Sequence, residues 1–172
     1  GYLKVTAMPF MEKLWLDVRE SVVLSVSEGD KVVLVEHYEG ASPVKMLIPR
    51  GSWAPMHLVP SGKVMLAYSD PKTVDQYLAG DLAAMTPKSV TDPKTLRKEL
   101  AKIRKQGWTI AIDELMVGAS GLAAPVFGWK GNTIAALAIV LPTGRFFESV
   151  RMKYVKLLVK AAEEISRQLN NM

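Results

Sequence analysis

The side chains that could do chemistry in this chain fall at four places. They are His37 and His57, the adjacent Asp113-Glu114, the small-residue run Gly118-Ala119-Ser120-Gly121, and Pro60-Ser61-Gly62-Lys63. There is no cysteine, which excludes thiolate nucleophiles, disulfides and Cys-ligated zinc. The two histidines stand in no metal-ligand spacing such as His-x-x-x-His. His37 reads as a partly exposed sheet residue, and His57 as a hydrogen-bonded structural group or a ligand contact. Gly118-Ala119-Ser120-Gly121 is not the Gly-x-Ser-x-Gly of a nucleophile elbow, and a strand rather than a helix is expected after it. Asp113 and Glu114 are neighbours on an expected strand, so they point to opposite faces and form no carboxylate dyad. Gly62-Lys63-Val64 lacks the earlier Gly and the Ser/Thr of a phosphate loop. No catalytic constellation and no metal or cofactor site is expected.

The remaining feature is a helix start. Pro60-Ser61-Gly62-Lys63 opens a predicted helix after an extended loop, and the first N–H groups of a helix have no internal partners. With the helix dipole, such an end can hold a carboxylate without a charged side chain. Pro60 has no N–H, so Ser61, Gly62 and Lys63 would supply the donors. The alternative is that Ser61 merely caps its own helix.

The elements around these residues alternate. Phe10, Leu14 and Val18 recur at four-residue spacing and predict a helix over Met8 to Arg19. Val22 to Ser27 and Lys31 to Tyr38 read as strands joined at Gly29-Asp30, with a third strand over Val44 to Ile48 stopped by Pro49. A helix follows from Ser61 to Tyr68, and a shorter one after Asp70-Pro71. Asp92-Pro93 starts another helix that ends at Gly107. Three strands are expected near Trp108 to Glu114, Ser120 to Phe127 and Thr133 to Leu141, then a last helix from about Phe147 to Leu169. Short links between consecutive strands require antiparallel pairing. The expected fold is α+β, an antiparallel sheet with helices packed on it.

Length and composition fit one globular domain over residues 1–172. The net charge of +5 invites a nucleic-acid reading. However, Lys94, Arg97, Lys98, Lys102, Arg104 and Lys105 share one amphipathic helix with Leu96, Leu100 and Ile103, the pattern of a solvated helix face. No aromatic residues interleave with these bases, and no helix-turn-helix is visible. The longest apolar run, Thr133 to Leu141, is too short to span a bilayer and reads as a buried strand.

Two blocks carry a family resemblance. The first is Gly51-Ser52-Trp53-Ala54-Pro55-Met56-His57 running into Pro60-Ser61-Gly62-Lys63-Val64-Met65-Leu66-Ala67-Tyr68. The second runs from Gly107-Trp108 through Asp113-Glu114, Gly118 and Gly121-Leu122-Ala123-Ala124-Pro125-Val126-Phe127 to Ala135-Ala136-Leu137-Ala138-Ile139-Val140-Leu141-Pro142. In order and at this spacing they resemble the effector-binding domain of the IclR family of bacterial transcriptional regulators. The resemblance implies a GAF- or PAS-like fold of about six strands and a cytoplasmic location. It also implies a homodimer or homotetramer, and DNA contact only through an N-terminal helix-turn-helix domain outside this chain. It implies a small organic-acid effector held at Pro60 and Ser61.

Relatives that sense small keto acids present Asp, Cys and two Ser side chains; the matching positions here are Ala111, Gly121, Ala138 and Val140. With Met46 and Trp53 as further walls, the implied pocket is wide and apolar. It suits an aromatic or larger apolar carboxylate, and not pyruvate or glyoxylate. The contrasting expectations are a small hydrolase or isomerase using the same cavity, and a purely structural oligomerisation module.

Overall fold

The computed structural model describes residues 1–171. Its elements in chain order are α1 (Tyr2–Val18), β1 (Ser21–Glu28), β2 (Lys31–Tyr38), β3 (Trp53–Pro55), α2 (Pro60–Ala67), α3 (Pro71–Ala79), α4 (Pro93–Gln106), β4 (Thr109–Ile112), β5 (Ala119–Phe127), β6 (Thr133–Pro142) and α5 (Glu148–Asn170). The six strands form one sheet in the order β3-β2-β1-β6-β5-β4, every neighbouring pair antiparallel. The fold is α+β, as expected.

Strand periodicity divides the core in two. Val22 and Leu24 of β1, Leu122, Ala124 and Val126 of β5, and Leu137, Ile139 and Leu141 of β6 face α1 and α5. The alternate residues Val23, Ala123, Ala136 and Ala138 face α2 and α4, meeting Val64, Met65, Leu66, Leu100 and Ile103. The second face is made of small residues, so α2 packs close to the sheet.

A bulge in β2 decides which of its residues reach which core. Leu24 pairs with Glu36 but Ser25 pairs with Leu34, so Val35 is the additional residue. Without it, Leu34 and Glu36 would share a face. With it, Val32 and Leu34 turn toward α2 while Glu36 lies beside α1, where Lys4 Nζ sits 2.9 Å from its carboxylate.

Three expectations are corrected. Helix α1 begins at Tyr2 rather than Met8 and runs through Pro9, because Thr6 and Ala7, one turn upstream, are also buried against the core. The third strand is Trp53–Pro55, not Val44 to Ile48. Residues 39–52 form a loop that includes Pro43 and Pro49, neither of which has an N–H to donate to a ladder. That loop is tied down by Trp15 Nε1 donating to Glu39 O (2.6 Å) and Ser21 Oγ donating to Met46 O (2.9 Å). Finally, β4 stops at Ile112, so Asp113 and Glu114 are not on a strand. Asp113 takes a left-handed φ of 60° and accepts bonds from Gly118 N and Thr143 Oγ1, which makes a turn of the segment before β5.

Glu36 links α1, β2 and the 39–52 loop, accepting from Lys4, from the His37 amide (3.0 Å) and from Arg50 Nε (2.7 Å). Burial pushes its carboxyl up, but these donors outweigh burial and hold it down at about 2 from an ordinary 4.5. A depressed folded value means the stabilisation is present above pH 4.5 and is lost as pH falls toward 2. Urea melts of the wild type and Glu36→Gln should therefore differ at neutral pH and converge through that window.

Candidate functional site

A cavity of about 310 Å³ opens where α2 begins. Its floor is the small-residue face of the sheet, with Val23 and Ser25 from β1, Ala138 and Val140 from β6, Gly121 from β5 and Ala111 from β4. The α2 side contributes Leu58, Val59, Pro60 and Ser61. The 39–52 loop and β3 contribute Met46, Leu47, Ile48, Ser52 and Trp53, and the turn after β4 contributes Glu114, Leu115 and Met116. The volume lies at the small end of the roughly 300–1,000 Å³ usual for ligand pockets, and the wall is mostly apolar, as such pockets are.

Eight residues named from the sequence meet in this wall: Met46, Trp53, Pro60, Ser61, Ala111, Gly121, Ala138 and Val140. Gly62 and Lys63 do not. A Cβ on Gly62 would overlap the Met56 backbone, so this glycine lets α2 pack tightly on the preceding turn and does not face the cavity. The Lys63 amide donates to Val59 O (3.1 Å), which leaves it no free donor for a ligand. Gly121 frees less room than its missing side chain suggests, because a Cβ there would stand 3.1 Å from the Pro60 ring.

Ser61 does not cap its own helix. The N-cap position is Val59, and no side-chain cap bond is made. Ser61 is buried, and at the second helical position its N–H has no intrahelical partner. Its hydroxyl makes no hydrogen bond to a protein group among the described residues. His57 is structural: Tyr77 Oη lies 2.8 Å from its Nδ1, and its Nε2 is 2.8 Å from Ala83 O. A carbonyl only accepts, so Nε2 carries the proton and Nδ1 accepts from the tyrosine. The ring anchors the chain before α2 to α3 and the segment after it.

Sequence reasoning missed the polar groups that organise this end. The Lys63 side chain is fully buried, with Nζ 2.7 Å from Glu99 of α4 and 2.5 Å from Glu114. Burial raises the Glu114 carboxyl, against the opposing hydrogen bond and charge of Lys63. The second oxygen of Glu99 is buried without a partner. Glu114 is the only ionisable side chain in the cavity wall among the described residues. One signal was available, since Lys63 is the single charged residue in the apolar run from Leu58 to Tyr68. Ser25 was also missed; it is buried in the wall, and its hydroxyl has no protein partner among the described residues.

Residues 2–167 match the family model described as "Bacterial transcriptional regulator IclR C-terminal". The chain belongs to the IclR family. It is 31% identical over 164 residues to the HTH-type transcriptional repressor AllR of Escherichia coli (strain K12), covering 95% of this chain and 60% of that protein. The chain thus spans 60% of the length of that curated relative. Among solved structures, the putative transcriptional regulator RHA06195 from Rhodococcus sp. RHA1 superposes with a TM-score of 0.94 at 28% identity, covering 98% of this chain and 68% of that one. An IclR homolog complexed with 4-hydroxybenzoate from Microbacterium hydrocarbonoxydans has a TM-score of 0.90 at 31% identity, covering 99% and 69%.

In this IclR-family domain, Lys63 joins α2 to α4 and to the turn that enters β5. Removing the ammonium alone would leave two half-buried carboxylates facing each other, a defect worth up to roughly 3–5 kcal/mol. Lys63→Met should lower unfolding free energy by about that amount in urea titrations. Adding Glu99→Gln and Glu114→Gln to it should recover most of the loss.

Proposed function

We propose that this domain is the small-molecule-sensing part of a transcriptional regulator, and that an organic acid with an apolar or aromatic body occupies the cavity. The observation that carries the reading is a mostly apolar cavity whose helix-side wall holds Ser61, with a free N–H and a hydroxyl and no competing cap. The carboxylate sits at Ser61, and the apolar body lies against Met46, Trp53, Ala111, Ala138 and Val140. Gly121 supports the start of α2 rather than touching the ligand. The Microbacterium homolog, complexed with an aromatic acid, supports the same ligand class here.

Binding closes space between the sheet, α2 and the 39–52 loop. It thereby biases how copies of the domain associate and how an attached DNA-binding domain is presented. The domain acts as a homodimer or homotetramer and touches DNA only through that other domain. No helix among the described residues is long and apolar enough to cross a membrane. The reading is of a sensor rather than an enzyme, and the description of the matching family and the name of the curated relative, both transcriptional regulators, support it.

Thermal-shift and calorimetric screens over aliphatic and aromatic acids test this reading. A ligand at a hundred times its Kd adds about 2.7 kcal/mol to stability. Ala111→Leu and Val140→Phe should abolish that gain by filling the cavity, at an intrinsic cost of roughly 1–3 kcal/mol from overpacking. Ser61→Pro should weaken acids selectively by deleting the N–H. Mass spectrometry after prolonged incubation should return the bound acid unchanged, and light scattering should give at least a dimer. A ligand indifferent to all three substitutions would place the site elsewhere.

A further inference from the structure

Glu114 is the one ionisable wall residue among the described residues, and the pocket reading leaves its chemistry unused. It lines the cavity, and its Oε1 is occupied by Lys63 Nζ at 2.5 Å. Its Oε2 makes no hydrogen bond to a protein group among the described residues and is not one of the fully buried unpartnered atoms. Lys63 is fully buried and cannot itself meet a ligand, so its charge is expressed in the cavity only through Glu114. The same ammonium also serves Glu99 at 2.7 Å, so two carboxylates share one positive charge. The cavity therefore presents an acceptor with residual negative character, and no cationic side chain lines it among the described residues.

We infer that Glu114 reads the effector's second polar group and selects molecules that offer it a hydrogen-bond donor, a hydroxyl or an N–H, in addition to any carboxylate held at Ser61. This rests on the pocket reading above and narrows its ligand class from apolar acids to hydroxy or amino acids with an apolar body. A donor relieves the unpaired oxygen. A group that only accepts, such as an ether, faces it with lone pairs and leaves the carboxylate desolvated. Glu99 and Lys63 act as positioning residues, because they hold Oε1 and so fix which oxygen faces the ligand.

The experiment is calorimetry on the domain with ortho, meta and para hydroxybenzoates, their methyl ethers, and benzoate. At least one hydroxybenzoate should bind about tenfold or more tightly than its ether, the scale of a hydrogen bond to a charged group. In Glu114→Gln the amide oxygen stays on Lys63 and the NH₂ faces the cavity. The preference should then collapse toward parity, and benzoate should bind more tightly once the negative charge is gone. A merely structural role would weaken every ligand alike and leave the hydroxyl-to-ether ratio unchanged, which overturns the inference. Parity in the wild type overturns it too, whether or not the variant folds. If none of these acids binds the wild type, this inference falls, while the organic-acid reading stands or falls on the wider screen over aliphatic and aromatic acids.

Discussion

The ammonium of Lys63, buried between Glu99 and Glu114, is the constraint on which the architecture around the cavity depends. Three pieces of chain far apart in sequence converge on it: the second turn of α2, the middle of α4 and the turn that leads into β5. A lysine side chain at zero exposure requires anionic partners, because an unpaired buried charge is far too costly to keep. Its partners are carboxylates with little exposure of their own, so neither α4 nor the turn can withdraw without stranding charge. Such a triad contributes less net stability than its short distances suggest, since desolvation offsets most of the attraction. It fixes position instead: the start of α2 is held at one height above the sheet.

That height works only because the sheet beneath is shallow. Ala123, Ala136 and Ala138 present one methyl each to α2, and Gly121 presents none to Pro60. The opposite face of the same strands carries Leu122, Leu137, Ile139 and Leu141 for the bulkier helix pair α1 and α5. A one-residue slip between β5 and β6 would exchange the two faces and drive leucines into α2. Where α2 begins, its cover over the sheet ends and the 39–52 loop takes over, held by Ser21, which donates to Met46 O and accepts from Gly40 N. The cavity is the gap between these two kinds of cover.

Most of this order was legible in the sequence because it is periodic or punctuated. Asp92 caps α4 at Thr95 N and Asp70 caps α3 at Thr73 N, each followed by a proline at the first helical position. Gly107 closes α4 in the left-handed conformation that favours glycine. What was not legible depends on distant partners. The turns of α1 before Met8 become visible only once the burial of Thr6 and Ala7 is known. Val44 to Ile48 has a strand's composition, but its backbone is claimed by a serine on β1. The sequence reading supplied eight residues of the cavity wall, yet it took Lys63 only as a backbone donor and gave Glu114 no role in the pocket. Neither local pattern nor spacing says that two carboxylates, 36 and 51 residues downstream, meet that lysine.

The charge arrangement also limits what can make a ligand bind. A helix start favours an anion by about 0.3–1 kcal/mol when exposed, and by up to about 2 when partly buried. Glu114 and Glu99 share the single ammonium of Lys63, so these side chains give a ligand carboxylate no net attraction, in contrast to a site lined by arginine. Affinity must come from apolar area removed from water, at about 25 cal/mol per Å², which rewards size and not identity. Discrimination among acids of similar size then falls to the wall groups that lack protein partners among the described residues, the Ser61, Ser25 and Ser52 hydroxyls and the second oxygen of Glu114. In a cavity whose side chains offer an anion no net attraction, the geometry of those few groups decides which molecule is sensed.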